Sequence, residues 1–168
     1  MFADMRSVDF VPVLLTEKAD VFSIRLGDSV VSMFQSFYIR FKDSQDPYVT
    51  DDLNRILATI KTIGQKGVLE NEMRPESHMN DRVCAIPLTI LPRDKKKHGT
   101  LRLYCIRVSD KLFVLGGGGL KRVQTYEDDE NLSKQVDLLQ KIDQAFRDLE
   151  EQGVDIHREI YNLTLQID

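Results

Sequence analysis

Three observations predict an α+β fold built on an antiparallel sheet. Strand-like runs gather near the N-terminus and in the second half of the chain, two helical stripes stand side by side between them, and one long helical stripe precedes a last short run. Segregated elements of this kind differ from a nucleotide-binding βαβ array, in which strands and helices alternate. The chain has 168 residues, 42% of them hydrophobic and 30% charged, which suffices for one core and is short for two, so residues 1–168 read as a single domain.

The first segment, VDFVPVLL, a polar TEKAD turn and VFSIRL form an N-terminal strand hairpin. Phe22, Ile24 and Leu26 alternate with Ser23 and Arg25, as a half-buried strand requires. After Gly27 the period lengthens: Val30, Phe34, Phe37, Tyr38 and Phe41 fall at helical spacing, with Asp28 or Ser29 as cap. DSQDP breaks the chain, and Thr50, backed by Asp51 and Asp52, opens a second helix with the stripe Leu53, Ile56, Leu57, Ile60 and Ile63, ended at Gly64. The two stripes imply a helical hairpin. Residues 65–82 are polar and irregular. VCAIPL, LRLYCIRVS and LFVLG then form an antiparallel β-meander from Val83 to Leu115, joined by a long basic loop and a tight Ser109-Asp110-Lys111 turn. In the long C-terminal helix after Tyr126, the residues Leu132, Val136, Leu139, Ile142, Phe146 and Leu149 recur every three or four positions, with Gly153 past the end. NLTLQID alternates again and adds an edge strand.

No apolar run approaches the ~18 to 20 residues that cross a bilayer. The start MFADMRSVDF lacks the basic-then-apolar order of a signal peptide, so the expected location is the cytoplasm, with no membrane partner. Cys84 and Cys105 stand in apolar strands without a CxxC partner and read as reduced core residues. Neither a metal nor any other cofactor is expected.

A net charge of −4 conceals an uneven distribution. From Arg93 to Arg122 nine Lys or Arg face two Asp, a net +7, whereas from Glu127 to Glu159 eleven Asp or Glu face four Lys or Arg, a net −7. A polyanion can therefore bind the middle of the chain. Inside that basic stretch lies LFVLGGGGLKR, in which Gly116 to Gly119 lead into Lys121 and Arg122. A P-loop needs Gly-Lys-Ser/Thr opening a helix, but Gly119 is followed by Leu120-Lys121-Arg122-Val123 and no hydroxyl takes the magnesium position. The dinucleotide fingerprint fails for want of a third spaced glycine and a parallel crossover. What remains is a bulge or loop at a strand end where something approaches the backbone closely.

The segment LRLYCIRVSDKLFVLGGGGLKRVQTYEDDENLSKQVDLLQKID resembles the second half of RelE/HigB-type toxins, in particular their phage-derived branch. There a strand bearing Arg and Tyr turns into an apolar strand, a short Gly- and Lys-containing loop with two adjacent basic residues, and a helix. The likeness covers residues 50–145, since these toxins also place a helical hairpin before the meander. It implies a RelE-like fold with N- and C-terminal extensions, a small antitoxin partner of helix-turn-helix type, and ribosome-dependent cleavage of mRNA by attack of a ribose 2′-hydroxyl on the adjacent phosphate. Carried over by position, the catalytic set is Arg102, Tyr104, Lys121 and Arg122, with Tyr126 near enough in sequence to join it. Cations suit the developing phosphorane.

The RNA-binding set is Lys95, Lys96, Lys97 and Arg107. Each has a plainer reading: the lysines as a solvated hairpin tip, Arg102 and Arg107 as residues on the wet face of a sheet. No general base is identifiable. His78 and His98 read as solvated loop residues because no partner sits nearby in sequence, and His157 follows an acidic helix. His78, Asp81 and Arg82, before the first meander strand, form an alternative location for a site. The competing function is a catalytically inactive binding domain of the same fold, contacting protein or nucleic acid.

Overall fold

The computed structural model describes residues 5–67, 82–122 and 130–168. The strands are β1 (Arg6–Leu15), β2 (Asp20–Leu26), β3 (Val83–Ala85), β4 (Thr100–Ser109), β5 (Leu112–Lys121) and β6 (Thr164–Ile167). The helices are α1 (Met33–Phe41), α2 (Pro47–Lys66), α3 (Glu130–Glu151) and a short α4 (Ile156–Glu159), which runs into a 3₁₀ turn, Ile160–Asn162. Together they make an α+β protein with one six-stranded sheet in the order β3-β4-β5-β2-β1-β6.

The hairpin, the meander and the edge strand stand as expected, but the sheet is mixed. β2 and β5 pair in parallel over Asp20–Ser23 and Leu112–Leu115, while every other pair is antiparallel. Joining hairpin to meander hides one long edge of each and, among the described residues, leaves β3 and β6 outermost, three and four residues long. It also buries β2 on both faces, so Ser23, expected to be wet, has no exposed surface. Its hydroxyl donates to the Leu115 carbonyl (2.9 Å) and accepts from the Phe34 amide (3.1 Å), tying both strands to α1.

Strand alternation sorts the core into two layers. Leu101, Leu103, Cys105, Phe113 and Leu115 face α1 and α2. Tyr104, Ile106, Leu112 and Val114 face α3, whose Leu132, Val136, Leu139, Ile142 and Phe146 are wholly buried. In the helical hairpin Phe37 and Phe41 are core, while Phe34 and Leu57 are only half-buried. Cys84 and Cys105 are buried and stand opposite one another across β3 and β4.

Both helix starts differ from expectation. Ser32 caps α1, its hydroxyl accepting from the Gln35 amide, and Val30 lies outside the helix at 91% exposure. Asp46 caps α2 with Pro47 in its first turn, so the DSQDP "break" is itself a helix-start signal. Nor does α2 stop at Gly64: it continues to Lys66, and Gly67, at φ 82°, ends it. Gly64 lies inside the helix, where a Cβ would stand 2.3 Å from Leu14 Cδ2, so the strand β1 side chain packs directly on its backbone.

The glycine run is neither loop nor cradle. All four glycines are buried inside β5, and the register slips by one residue opposite Tyr104, a bulge at Gly116 and Gly117. A Cβ on Gly116 would lie 2.8 Å from Leu139 Cδ2, and one on Gly118 would collide with the Arg102 carbonyl at 1.8 Å. What approaches the backbone is therefore α3 on one side and β4 on the other.

At the far end of the meander Arg82 is consumed structurally. Its backbone amide and Nε donate to the buried Asp143 (3.0 and 2.8 Å), Nη1 to the Val108 carbonyl and Nη2 to Glu150 (2.7 Å). Burial pulls its pKa down most strongly of any single influence, but the paired carboxylates of Glu150 and Asp143 together outweigh it and raise the pKa. His78, Asp81 and Tyr126 lie outside the described residues.

Candidate functional site

Basic residues converge at the end of the sheet where β4 begins and β5 stops. The loop before β4 is a tight turn organised by Asp94. Its carbonyl accepts from the Lys97 and His98 amides (3.1 and 2.9 Å) and its Oδ1 from the Lys96 amide (3.0 Å), which leaves Lys95, Lys96 and Lys97 exposed.

That turn is footed on a buried ion pair. Arg93, counted above among the available cations, donates through both terminal nitrogens to Asp52 of α2 at 2.7 Å, and neither side chain has exposed surface. Asp52 Oδ2 also accepts from the Leu101 amide (3.1 Å), Arg93 Nη1 reaches the Gly99 carbonyl (3.3 Å), and the guanidinium lies 4.9 Å from the centre of the Tyr48 ring. The hydrogen bond to Asp52 raises the Arg93 pKa.

Pairing then orders the strand cations. Thr100 stands opposite Lys121 and Arg102 opposite Gly119, so Arg102 and Lys121 are diagonal neighbours on the α3 side of the sheet. Arg102 is half-buried, and its Nε is buried without a hydrogen-bond partner among the described residues. Arg122 is exposed and lies across Gly99, its Cγ 2.8 Å from where a Gly99 Cβ would stand. Arg102, Lys121, Arg122 and the Lys95–Lys97 turn thus share one end of the sheet, Arg102 and Lys121 on the α3 face and Arg122 on the face of Leu101 and Leu120.

Two expected members stand apart. Tyr104 shares the Arg102 side of β4, as alternation predicts, but α3 covers that side and the ring has no exposed surface. Arg107 lies five residues along β4 from Arg102, about 16 Å at ~3.3 Å per residue, and its guanidinium pairs with Asp110. The wet sheet face proposed for the two arginines does not exist here, since helices cover both faces.

His98 is the residue that sequence reasoning passed over. Its Nδ1 lies 3.1 Å from Asp46 Oδ2, its ring packs on Tyr48 with centroids 4.5 Å apart, and its side chain is 34% exposed. Asp46 meanwhile caps α2 through Oδ1, accepting from the Tyr48 amide at 2.9 Å. Its pKa is lowered, chiefly by the bond to His98. The partner is 52 residues away in sequence. The only local sign of it was the Asp-Pro pair, a helix-cap signal that places a carboxylate at the start of α2.

No three His, Cys, Asp or Glu side chains converge as a metal site, and no helix is long and apolar enough to cross a membrane, among the described residues. Compared with known proteins, the chain matches no family model, no curated protein and no solved structure.

Proposed function

We propose that this chain is the toxin component of a toxin–antitoxin pair, a ribosome-dependent mRNA endoribonuclease of RelE-like build that works in the cytoplasm and is held in check by a small helix-turn-helix antitoxin. The observation that carries the reading is the convergence of Lys95, Lys96, Lys97, Arg102, Lys121 and Arg122 on one end of the sheet. Cations at that end, Arg102 and Lys121 on the α3 face and Arg122 on the opposite one, neutralise backbone phosphates, and one placed at the reacting group stabilises the charge that builds on phosphorus as the 2′-oxygen attacks. The order of two helices, three-stranded meander and helix supports it too, being the order that the resemblance implies.

Tyr104 drops out of the proposed site, because a wholly buried ring cannot reach a phosphate. That burial favours the second reading, a binding domain of the same build that grips RNA without cutting it. Inducing the chain alone in a bacterium separates the two. A toxin arrests growth and translation, and Arg122→Ala or Lys121→Ala relieves the arrest, since one cation on the phosphorane is worth ~3 to 4 kcal/mol. Induction without arrest, together with intact message on purified ribosomes, would leave the binding domain.

A further inference from the structure

A carboxylate only accepts hydrogen bonds, so the contact between Asp46 Oδ2 and His98 Nδ1 places the imidazole proton on Nδ1. The neutral ring then carries its lone pair on Nε2, and Nε2 has no hydrogen-bond partner among the described residues. The ring cannot easily turn away. Tyr48 packs against it, the Arg93 guanidinium lies over Tyr48, and Arg93 is itself locked in the buried pair with Asp52. His98 and Arg122 flank a single residue, Gly99. The Arg122 side chain lies across it, with Nε 3.4 Å from the position of a Gly99 Cβ, and the exposed Lys95–Lys97 immediately precede His98 in the turn. An oriented base and an exposed arginine thus stand on either side of Gly99, at the basic end of the sheet.

We propose that His98 is the general base of this site, with Asp46 as its positioning residue and Arg122 as the cation on the reacting phosphate; the inference rests on the ribonuclease reading given above. His98 Nε2 takes the proton from a ribose 2′-hydroxyl, and the 2′-oxygen forms a bond to the adjacent phosphorus. The bond from phosphorus to the 5′-oxygen breaks, its electron pair leaving on that oxygen, which takes a proton from water. The resulting hydroxide is neutralised by the proton that the imidazolium releases. The products are a 2′,3′-cyclic phosphate and a 5′-hydroxyl end, with no oxidant, metal or cofactor consumed. Positioned proton transfer of this kind is worth about 100- to 10,000-fold in rate.

The test uses the purified full chain, ribosomes programmed with a defined message, and mapping of both new ends. His98→Gln keeps the size and polarity of the ring without its basicity. It is expected to lower the cleavage rate by about 100-fold or more while leaving RNA affinity within about twofold. Asp46→Asn still caps α2, because Asn caps as well as Asp, but it replaces the carboxylate that fixes the ring. It should lower kcat with KM unchanged, and the double variant should be no worse than His98→Gln alone. Added imidazole should restore cleavage to His98→Ala. If His98→Gln cleaves at the wild-type rate, the base lies elsewhere and the ribonuclease reading stands. If cleavage and RNA affinity fall together and imidazole restores nothing, His98 serves binding and the inference is overturned. If the wild-type chain leaves every message intact, the ribonuclease reading falls and the base with it.

Discussion

Replacing Arg93 by Leu tests whether the basic loop is held from below. Arg93 and Asp52 have no exposed surface, and their two contacts at 2.7 Å neutralise a carboxylate sealed inside the protein. Removing the guanidinium leaves Asp52 charged and buried, with the Leu101 amide as its remaining donor at 3.1 Å. Loss of one partner of such a pair costs ~3 to 5 kcal/mol, against a total of ~5 to 15 kcal/mol for an ordinary domain. With a urea slope of ~2 kcal/mol/M, the midpoint of denaturation should fall by ~2 M. Arg93→Leu/Asp52→Leu should recover much of this, because a buried pair exchanged for apolar groups is often close to neutral. On the proposed function, RNA affinity provides an independent readout: Lys95–Lys97, unmoored, should lose affinity in both variants even where stability is restored. A midpoint within ~0.5 M of wild type, or a double variant no better than the single, would refute the claim that the pair anchors the loop.

Leu139→Ala should cost ~2 to 5 kcal/mol in the same assay, because Leu139 has no exposed surface and its methyls rest on Gly116. If the basic end of the sheet binds RNA as proposed, the logarithm of affinity should fall linearly with the logarithm of salt concentration, and neutralising Lys121 or Arg122 should reduce that slope by about one unit. The lowered pKa of Asp46 makes its contribution to stability fully present above the ordinary carboxylate value of 3.8 and lost as pH falls through the depressed folded value. Acid unfolding followed by circular dichroism should therefore be less steep in Asp46→Asn than in wild type.

What the sequence made legible was whatever one segment determines by itself. Period-3.6 spacing alone placed Leu132 through Phe146 against the core, and period-2 spacing put Arg102 and Tyr104 on the same side of β4. It could not say that the side is covered, because α3, which covers it, is a separate element. The same limit applies to the glycines. A run without side chains looks identical as a loop or as a packed strand, and the difference lies in Leu139 and in the Arg102 carbonyl, which meet it from other elements. The partners of Arg93 and His98 lie 41 and 52 residues away, so neither its sealed ion pair nor the oriented imidazole had a local signature. Asp52 read instead as a helix-start acid, and Asp46 as part of the chain break before α2, the helix that it in fact caps.

The parallel pairing of β2 with β5 has a kinetic consequence. Ser23 and Leu115, joined by a hydrogen bond, are 92 residues apart, with both helices of the hairpin and two strands of the meander between them. At ~5 to 20 residues per second of synthesis, β2 waits ~5 to 18 s on the ribosome before its neighbour exists, with its inner edge open and its apolar residues uncovered. Contacts so distant in sequence also slow the search for the native sheet once the chain is complete. A nascent chain halted anywhere before Leu112 therefore presents the Asp20–Ser23 edge as a template for any extended segment that reaches it first.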